Sequence, residues 1–224
     1  MKKKLDRLFI AGHILTALYV YLLGWWGLLL IPLGIAVFHA GHGAYAHRIF
    51  THNADDSFEK LSHRSHLIGH LLFNMCAWGS ALSFGSIHRV HHANSGTEND
   101  PHEPKYIGKW NLFIGNYHMC TDKRFFKLRY KAPYAKWFHN NYFKVAWLGM
   151  PIFAPVFAVS FWLRYVLLVL VHPRDDQPTA QDRWWLYPVL WGDETHELHH
   201  SRSYLAKHHN FDFVYQCVKL YRCI

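Results

Sequence analysis

Two runs of apolar residues, 8–23 and 26–40, follow the basic start MKKKLDR and are separated only by a Gly-Trp step. A basic start before a short apolar run is also typical of a signal peptide. A cleaved signal would not need the second run, so the pattern favours a retained membrane hairpin over residues 5–46. Taken strictly, each run is shorter than the ~20 residues of a spanning helix. One longer span broken by Pro32 is the competing interpretation.

A later apolar segment, residues 143–171, contains two prolines and Arg164, and its length suits two short crossings. Because arginine is costly in lipid, we expect Arg164 to lie near a turn or to face protein. The stretch 67–84 is interrupted by polar residues and glycine, which predicts a helix packed against the site or the membrane surface. We therefore predict an all-α protein with about four membrane spans arranged as two hairpins.

The predicted architecture is a single domain in which the hairpins, residues 5–46 and 143–171, alternate with two polar regions, 47–142 and 172–224. With two hairpins, the N-terminus and both polar regions lie on one side of the membrane. The region 47–142 is rich in lysine and arginine, which the positive-inside tendency assigns to the cytoplasm. We expect a helical cap there, carrying every histidine cluster.

Composition and charge limit the classes of partner that the chain is expected to bind. The 224-residue chain is 51% hydrophobic, contains 20 histidines and has a net charge of +9 with histidine neutral. The charge suits nucleic acid, anionic lipid or an anionic substrate, but no glycine-rich phosphate loop or basic tail supports nucleic acid. The basic, aromatic run 123–136 predicts a membrane-surface face, with a headgroup or phosphate site as the alternative. The four cysteines show no CxxC spacing and are expected to be reduced thiols.

Two histidine triplets share one spacing, in HRVHH and HELHH: His88, His91 and His92, then His196, His199 and His200. On a helix, residues three and four positions apart share a face, so each triplet is expected to aim three imidazoles at one point. Imidazole is the commonest side-chain metal ligand. Two such triplets predict a two-metal site.

A third cluster, HAGHGAYAHRIFTH, offers several registers through His39, His42, His47 and His52. The pairs His42/His47 and His47/His52 both have HxxxxH spacing, and spacing alone does not choose between them. Because an i, i+5 pair does not share a face of an α-helix, one member is expected beyond a helix end. The polar residues after Thr51 supply a turn, so we place His47 in the last turn and His52 just past it.

The segments HRIFTH, HRVHHANSGTENDPH and GDETHELHH resemble the three histidine boxes of membrane fatty acid desaturases of the acyl-CoA and acyl-lipid delta-9 type. The resemblance extends to the tail AKHHNFDFVYQCVKLY and covers most of the chain. Members of this family also carry a lone histidine before the third box. The resemblance implies nine metal ligands, namely His47, His52, His88, His91, His92, His172, His196, His199 and His200.

The resemblance further implies two iron ions and an oxygen-dependent reaction that places a cis double bond in a long acyl chain. The partners it implies are an acyl-CoA or acyl-lipid substrate, dioxygen, membrane lipid and an external electron donor of the ferredoxin or cytochrome b5 type, because the chain carries no haem or iron-sulfur segment. An apolar tunnel is expected to set the position of the double bond. Candidate lining residues, chosen by their proximity to the boxes, are Trp78, Phe84, Trp147 and Trp191.

Three positions depart from the family pattern. Leu168 stands one helical turn before His172, where the family often has an asparagine that helps to hold a metal-bound water. In the third box, Glu194 and Glu197 replace a glycine and an asparagine of the usual GEGxHN. Hydrogen bonding behind the ligands is expected to differ.

Other functions compete for the same residues. A similar di-iron centre could hydroxylate a lipid, sterol or carotenoid. His196, Glu197 and His200 satisfy the HExxH pattern of zinc proteases, although a single zinc would leave the other boxes unexplained. A non-enzymatic metal-binding or metal-carrying membrane protein is a further alternative. The soluble di-iron carboxylate class needs two Glu-x-x-His pairs, and only Glu197/His200 fits.

The remaining histidines are expected to have structural roles. His13 lies in an apolar stretch, where one backbone carbonyl satisfies a neutral imidazole. His63, His66 and His70 share one helix face, either as a packing face, which we favour, or as a further row of ligands. Supporting or surface positions are expected for His102, His118, His139, His208 and His209.

Overall fold

The computed structural model describes residues 2–115, 123–172 and 180–224. The described residues are helical and form no strand, apart from one isolated bridge between Asp182 and Thr195. The α-helices are α1 Lys2–Leu23, α2 Leu30–Phe38, α3 His63–Asn74, α4 Ala81–Asn94, α5 Pro104–Ile107, α6 Lys109–Phe113, α7 Lys123–Leu128, α8 Ala135–Tyr165, α9 Tyr187–Leu190, α10 His196–Ser201 and α11 Phe213–Cys223. Two π-helical segments, His39–Thr51 and Val166–Leu170, and three short 3-10 helices, Gly24–Leu29, Ala54–Asp56 and Trp184–Leu186, complete the helical structure.

The first two apolar runs form helices that reverse direction at Gly24. Its φ of +56° lies in the left-handed region that glycine adopts without strain. On a straight helix Gly12 and Gly34 would be more than about 30 Å apart. Instead both lie against the same part of α8, because a Cβ on Gly12 would lie 3.8 Å from Ala158 N and one on Gly34 3.1 Å from Val159 Cγ2. The chain therefore folds back as α1 and α2.

Helix α8 bends sharply at Phe153, whose φ and ψ of −108° and 18° are not helical and which lies between Pro151 and Pro155. Proline removes a helical hydrogen bond and kinks the helix. His139 in the first part bonds Ser80 Oγ, whereas Arg164 in the second part donates to the Ala77 carbonyl. Both ends of α8 therefore reach the same short segment.

Two helical segments, Lys4–Thr51 and Ala135–Leu170, are long and apolar enough to cross a membrane, which is consistent with a membrane protein. The most apolar part of the first is mostly exposed, and that of the second is mostly buried. Helix α8 begins at Ala135, earlier than the predicted boundary at residue 143. The polar start of α8 buries Ala135, Phe138 and Tyr142, which share one face.

One helix was predicted over residues 67–84. The structure instead has the end of α3 and the start of α4 there. The chain turns between them through left-handed Ala77 and Gly79. Ser80 caps α4 by accepting a hydrogen bond from Ser83 N. Helix α3 crosses the π-helical segment closely, because a Cβ on Gly41 would lie 2.7 Å from the Leu72 carbonyl carbon.

Arg164 faces protein, as expected. It is fully buried, donates to the carbonyls of Phe113 and Ala77, and lies 5.0 Å from the ring centre of Trp78. These contacts join the end of α8 to the turn before α4 and to α6. The histidine-bearing segments thus meet at the end of the molecule away from the Gly24 turn.

Candidate metal centre

The first histidine box lies on the π-helical segment His39–Thr51, and His52 follows its last residue. The His52 N–H donates to the His47 carbonyl at 3.2 Å, an i to i−5 hydrogen bond. A π-helix is wider than an α-helix and brings positions i and i+5 toward one face. The rings of His42, His47 and His52 accordingly follow one another, with centroids 5.9 and 5.3 Å apart. The prediction for His47 and His52 assumed an α-helix, in which the pair would diverge.

The second and third boxes lie on α4 and α10, and His172 follows the other π-helical segment, Val166–Leu170. The expectation that each triplet aims at one point is wrong. Adjacent residues of an α-helix diverge by about 100°, so His91 and His92 cannot point the same way. His88 and His92 face one cluster and His91 another.

The first cluster brings together five predicted ligands: His47, His52, His88, His92 and His199. The Nε2 atom of His47 lies 3.1 Å from that of His88 and 2.9 Å from that of His199. The Nε2 atom of His92 lies 3.0 and 3.1 Å from the same two nitrogens. A neutral imidazole nitrogen has either one proton or one lone pair, so four nitrogens in a closed ring cannot satisfy all four contacts. A cation among them would accept every lone pair, and the cluster therefore fits a metal.

The second cluster contains the other four predicted ligands, His91, His172, His196 and His200. The Nε2 atoms are 3.2 Å apart in the His91/His200 pair and in the His172/His196 pair. His92 and His200 stack with centroids 4.5 Å apart and so join the two clusters. All nine predicted ligands therefore lie in two adjacent groups.

Groups behind the rings fix their orientation. Nδ1 of His91 donates to Asp100, and Nδ1 of His172 donates to the Leu167 carbonyl. Each of these bonds directs the Nε2 lone pair into the cluster, the arrangement that outer partners give to metal-binding histidines. Asp193 lies 3.9 Å from Nδ1 of His47.

Arg48 anchors the third box to the first. Its guanidinium donates to Asp212 at 2.6 Å and to Asp193 at 3.2 Å, and all three residues are buried. Glu194, which stands where the family pattern has a glycine, has two hydrogen-bond partners. Its carboxylate accepts from the Gly192 N–H and bonds His209 Nε2 at 2.9 Å.

Burial keeps the imidazoles neutral. Desolvation lowers the pKa of His88, His91 and His199 well below the usual value, and neighbouring histidines lower it further. The pKa of His172 falls to about 4 and that of His200 to about 3, for the same two reasons. Neutral rings leave their lone pairs available to a metal at neutral pH.

One cavity adjoins the clusters, and a second cavity shares the lining residue Trp78 with it. The smaller, about 20 Å³, is lined by His47, His88 and His196, hence by members of both clusters, and has room for about one water-sized molecule. The larger, about 340 Å³, lies between α4 and both parts of α8. Trp78 lines both cavities.

The four predicted tunnel residues lie in different surroundings. Trp78 lines both cavities, and Phe84 stacks on His88 with centroids 5.3 Å apart. Trp147 is 42% exposed on the outside of α8. Trp191 packs on Phe213 and His39.

Two residues near the clusters were not predicted as ligands. His42 lines the smaller cavity, and neither ring nitrogen has a hydrogen-bond partner among the described residues. His102 lies in a group with His91 and His172 in which the ligand atoms are within 4.8 Å of one another. The i, i+5 spacing of His42 and His47 was the available signal for the first, and the nearness of His102 to HRVHH for the second.

Glu197 is exposed, whereas His196 is buried. The glutamate of the HExxH pattern therefore points away from both clusters. A peptidase mechanism needs that carboxylate beside the metal as general base, and this geometry does not provide it.

The remaining histidines mostly fill packing positions. His66 bonds the Tyr45 hydroxyl at 3.2 Å, and His70 bonds the Pro133 carbonyl at 3.1 Å, so their row is a packing face. His13 bonds the Phe9 carbonyl. His118 and Cys120 lie outside the described residues.

Comparison with known proteins assigns no family. No protein-family model matches the chain, and no curated protein matches it.

Proposed function

We propose that this protein is an oxygen-dependent, di-iron fatty acyl desaturase. The observation that carries the proposal is the pair of adjacent clusters built from imidazoles of four separate chain segments, with no carboxylate in any of the histidine groups among the described residues. Nitrogen donors suit iron among the transition metals. Packing alone gives no reason for so many buried imidazoles to converge.

Nine histidines would hold the two irons: His47, His52, His88, His92 and His199 in the first cluster, and His91, His172, His196 and His200 in the second. When bound, the iron pair supplies the oxidising chemistry by which dioxygen, two electrons and two protons remove two hydrogens from adjacent methylenes and leave two waters. The protein holds the rings of His91 and His172 in one tautomer through Asp100 and the Leu167 carbonyl. The small cavity is lined by members of both clusters and is where dioxygen would approach the two irons.

The larger cavity suits an acyl chain. Its lining is mainly apolar, with Leu5, Ile87 and Phe143 among the residues, and no acidic residue lines it within the described chain. Lys4 and Lys144 are exposed side chains at the same cavity and would attract an anionic headgroup. Trp78, which also lines the smaller cavity, would set how far the chain enters.

The membrane arrangement that we propose has four crossings, formed by α1, α2 and the two parts of α8. Large apolar side chains, including Ile14, Leu22 and Leu148, are exposed on these helices by 62, 66 and 80%. Contiguous apolar surface of this kind suits lipid. Trp25 and Trp26, at the turn between α1 and α2, would lie at the far membrane interface.

The clusters would then lie on the cytoplasmic face, together with the lysine- and arginine-rich region 47–142. Electrons would come from a separate protein of the ferredoxin or cytochrome b5 type. A metal carrier would be expected to place ligands along a path through its spans, whereas these clusters lie together at one end.

The test is expression of the full chain in a host that lacks its own fatty acid desaturase, followed by mass spectrometry of the lipids with double-bond location. We expect new monounsaturated chains and two iron ions per protein. His91→Ala and His199→Ala, one from each cluster, should abolish the product. His66→Gln is the matched control, because His66 is also buried but its ring hydrogen-bonds Tyr45 and lies outside both clusters.

Other outcomes would change the assignment. Hydroxylated lipids would make the protein a hydroxylase with the same metal centre. A single zinc ion, with peptide cleavage that Glu197→Ala abolishes, would identify the peptidase. Transport of metal ions in a fixed ratio to the protein, without any change in the lipids, would identify a metal carrier.

A further inference from the structure

His102 lies against the second cluster but is not one of its four predicted ligands. It is 1% exposed. Its ring centroid lies 5.0 Å from that of His91 and 6.1 Å from that of His172. The ligand atoms of these three residues lie within 4.8 Å of one another, which a bound ion could draw together.

The turn that carries His102 is tied to a ligand. Asp100 Oδ1 accepts the backbone N–H of His102 at 2.8 Å, and both Asp100 oxygens lie 2.8 Å from His91 Nδ1. An aspartate that bonds the backbone two residues later fixes a turn. One buried carboxylate therefore sets the positions of both His91 and His102.

The two clusters differ in their number of donors. The first has five imidazoles and the second has four. Leu168 lines the smaller cavity together with His102 and His196, and its side chain has no donor atom. The second cluster therefore receives nothing from Leu168 that could hold a metal or a metal-bound water, while His102 brings a nitrogen to the same cavity.

We propose that His102 is the fifth nitrogen ligand of the metal at the second cluster, so that each metal is held by five imidazoles. This inference rests on the proposed metal centre, but not on the reaction that the centre performs. Leu168 then closes the cavity with an apolar wall instead of supplying a ligand.

Cobalt binding to the full-length protein in detergent tests this ligand. Wild type should bind two Co²⁺ ions in equilibrium dialysis. His102→Gln should bind the first ion normally and the second at least about tenfold more weakly, since losing even an outer partner of a ligand costs about 10–100-fold in affinity. The visible Co²⁺ bands should intensify as one ion loses a ligand. His66→Gln should match wild type in both measurements.

A variant that gains a spectroscopic signal distinguishes the loss of a ligand from the loss of the fold. In His102→Cys, a thiolate that coordinates Co²⁺ should produce a sulfur-to-cobalt charge-transfer band in the near ultraviolet, which His66→Cys should lack. Leu168→Asn, added to His102→Gln, should restore part of the second affinity, because an amide can hold a metal-bound water. Thermal unfolding without metal should be similar for His102→Gln and wild type, with the metal-dependent rise smaller in the variant.

The two hypotheses fail in different ways. If His102→Gln binds two Co²⁺ ions with the wild-type spectrum, or if His102→Cys shows no new band, His102 is not a ligand and the nine-histidine centre stands. If wild type itself does not bind two ions, the proposed metal centre is wrong.

Discussion

Asp100 accepts a hydrogen bond from Nδ1 of His91, and each of its carboxylate oxygens lies 2.8 Å from that nitrogen. Both residues are buried, with exposures of 2% and 0%. The bond fixes the proton on Nδ1 and leaves the Nε2 lone pair directed at His200, 3.2 Å away. Asp100 therefore acts on the second cluster without belonging to it.

Asp100→Asn should weaken metal binding at the second cluster by roughly 10–100-fold, because an amide neither fixes the His91 tautomer nor raises the basicity of the ring. Equilibrium dialysis with Co²⁺ measures the effect. Glu98→Gln, an exposed change in the same turn, is the control and should bind normally. Unchanged Co²⁺ affinity in Asp100→Asn would show that the carboxylate does not support metal binding at the second cluster.

Arg48→Met should lower the free energy of unfolding by about 3–5 kcal/mol, because breaking a buried ion pair leaves a carboxylate uncompensated. Arg48 is 1% exposed, and both of its partners, Asp193 and Asp212, are buried. Denaturation in mixed micelles, followed by circular dichroism, measures the loss. Arg64→Met, on an exposed part of α3, should change stability by less than about 0.5 kcal/mol.

Stability should fall as the pH is lowered from 6.5 toward 4, even without metal. Burial lowers the pKa of His66 to about 4 and that of His70 to about 3, and nearby His63 and Arg129 add to the shift at His66. In this window the unfolded chain binds protons that the folded chain does not, which favours unfolding. Each group contributes a slope of up to about 1.4 kcal/mol per pH unit.

The double variant His66→Gln/His70→Gln should have a shallower dependence of unfolding free energy on pH over the same window. Urea denaturation of the metal-free protein at several pH values gives the slopes. Identical slopes in variant and wild type would show that these two imidazoles do not carry the effect.

Glu197→Gln should leave metal content and lipid products unchanged, because the side chain is exposed whereas the neighbouring His196 is buried. Metal analysis and lipid mass spectrometry check this expectation. His200→Gln, on the same short helix but in the second cluster, should lose one metal ion. Equal losses in the two variants would contradict the orientation of α10.

Trp78→Phe should alter the product distribution while leaving metal content unchanged. The residue lines both the 340 Å³ and the 20 Å³ cavity, so a smaller ring would let an acyl chain enter further. Double-bond location by mass spectrometry measures the shift. Trp147→Phe, on the exposed side of α8, is the control and should give wild-type products.

Local patterns were sufficient for much of the architecture. Apolar runs predicted the helices around Gly24 and within residues 143–171, because the length of a run and its breakers are properties of neighbouring residues. The same patterns missed the start of α8 at Ala135. There Phe138 stacks on His70 of α3, with ring centroids 5.0 Å apart, and the polar residues of this segment do not reveal that contact.

Candidate ligands could also be chosen from spacing and motif, since imidazoles one helical turn apart share a face wherever the helix lies. The sequence did not show how the nine ligands divide between two clusters. His91 and His92 point in different directions because successive residues of an α-helix are rotated by about 100°. The histidines that each ring meets depend on where α10 and His172 lie.

The sequence by itself determined the kinds of side chain available, their order and their helical phase. Only the tertiary structure decided that Asp100 fixes His91, that a π-helix aligns His47 with His52, that Glu197 faces outward and that His102 lies beside His91 and His172. These relationships depend on the path of the turn after α4, on a backbone form that spacing does not encode, or on the side of a helix that other segments cover. Their physical cause is the packing of whole helices against one another, to which every residue contributes and which no local pattern contains.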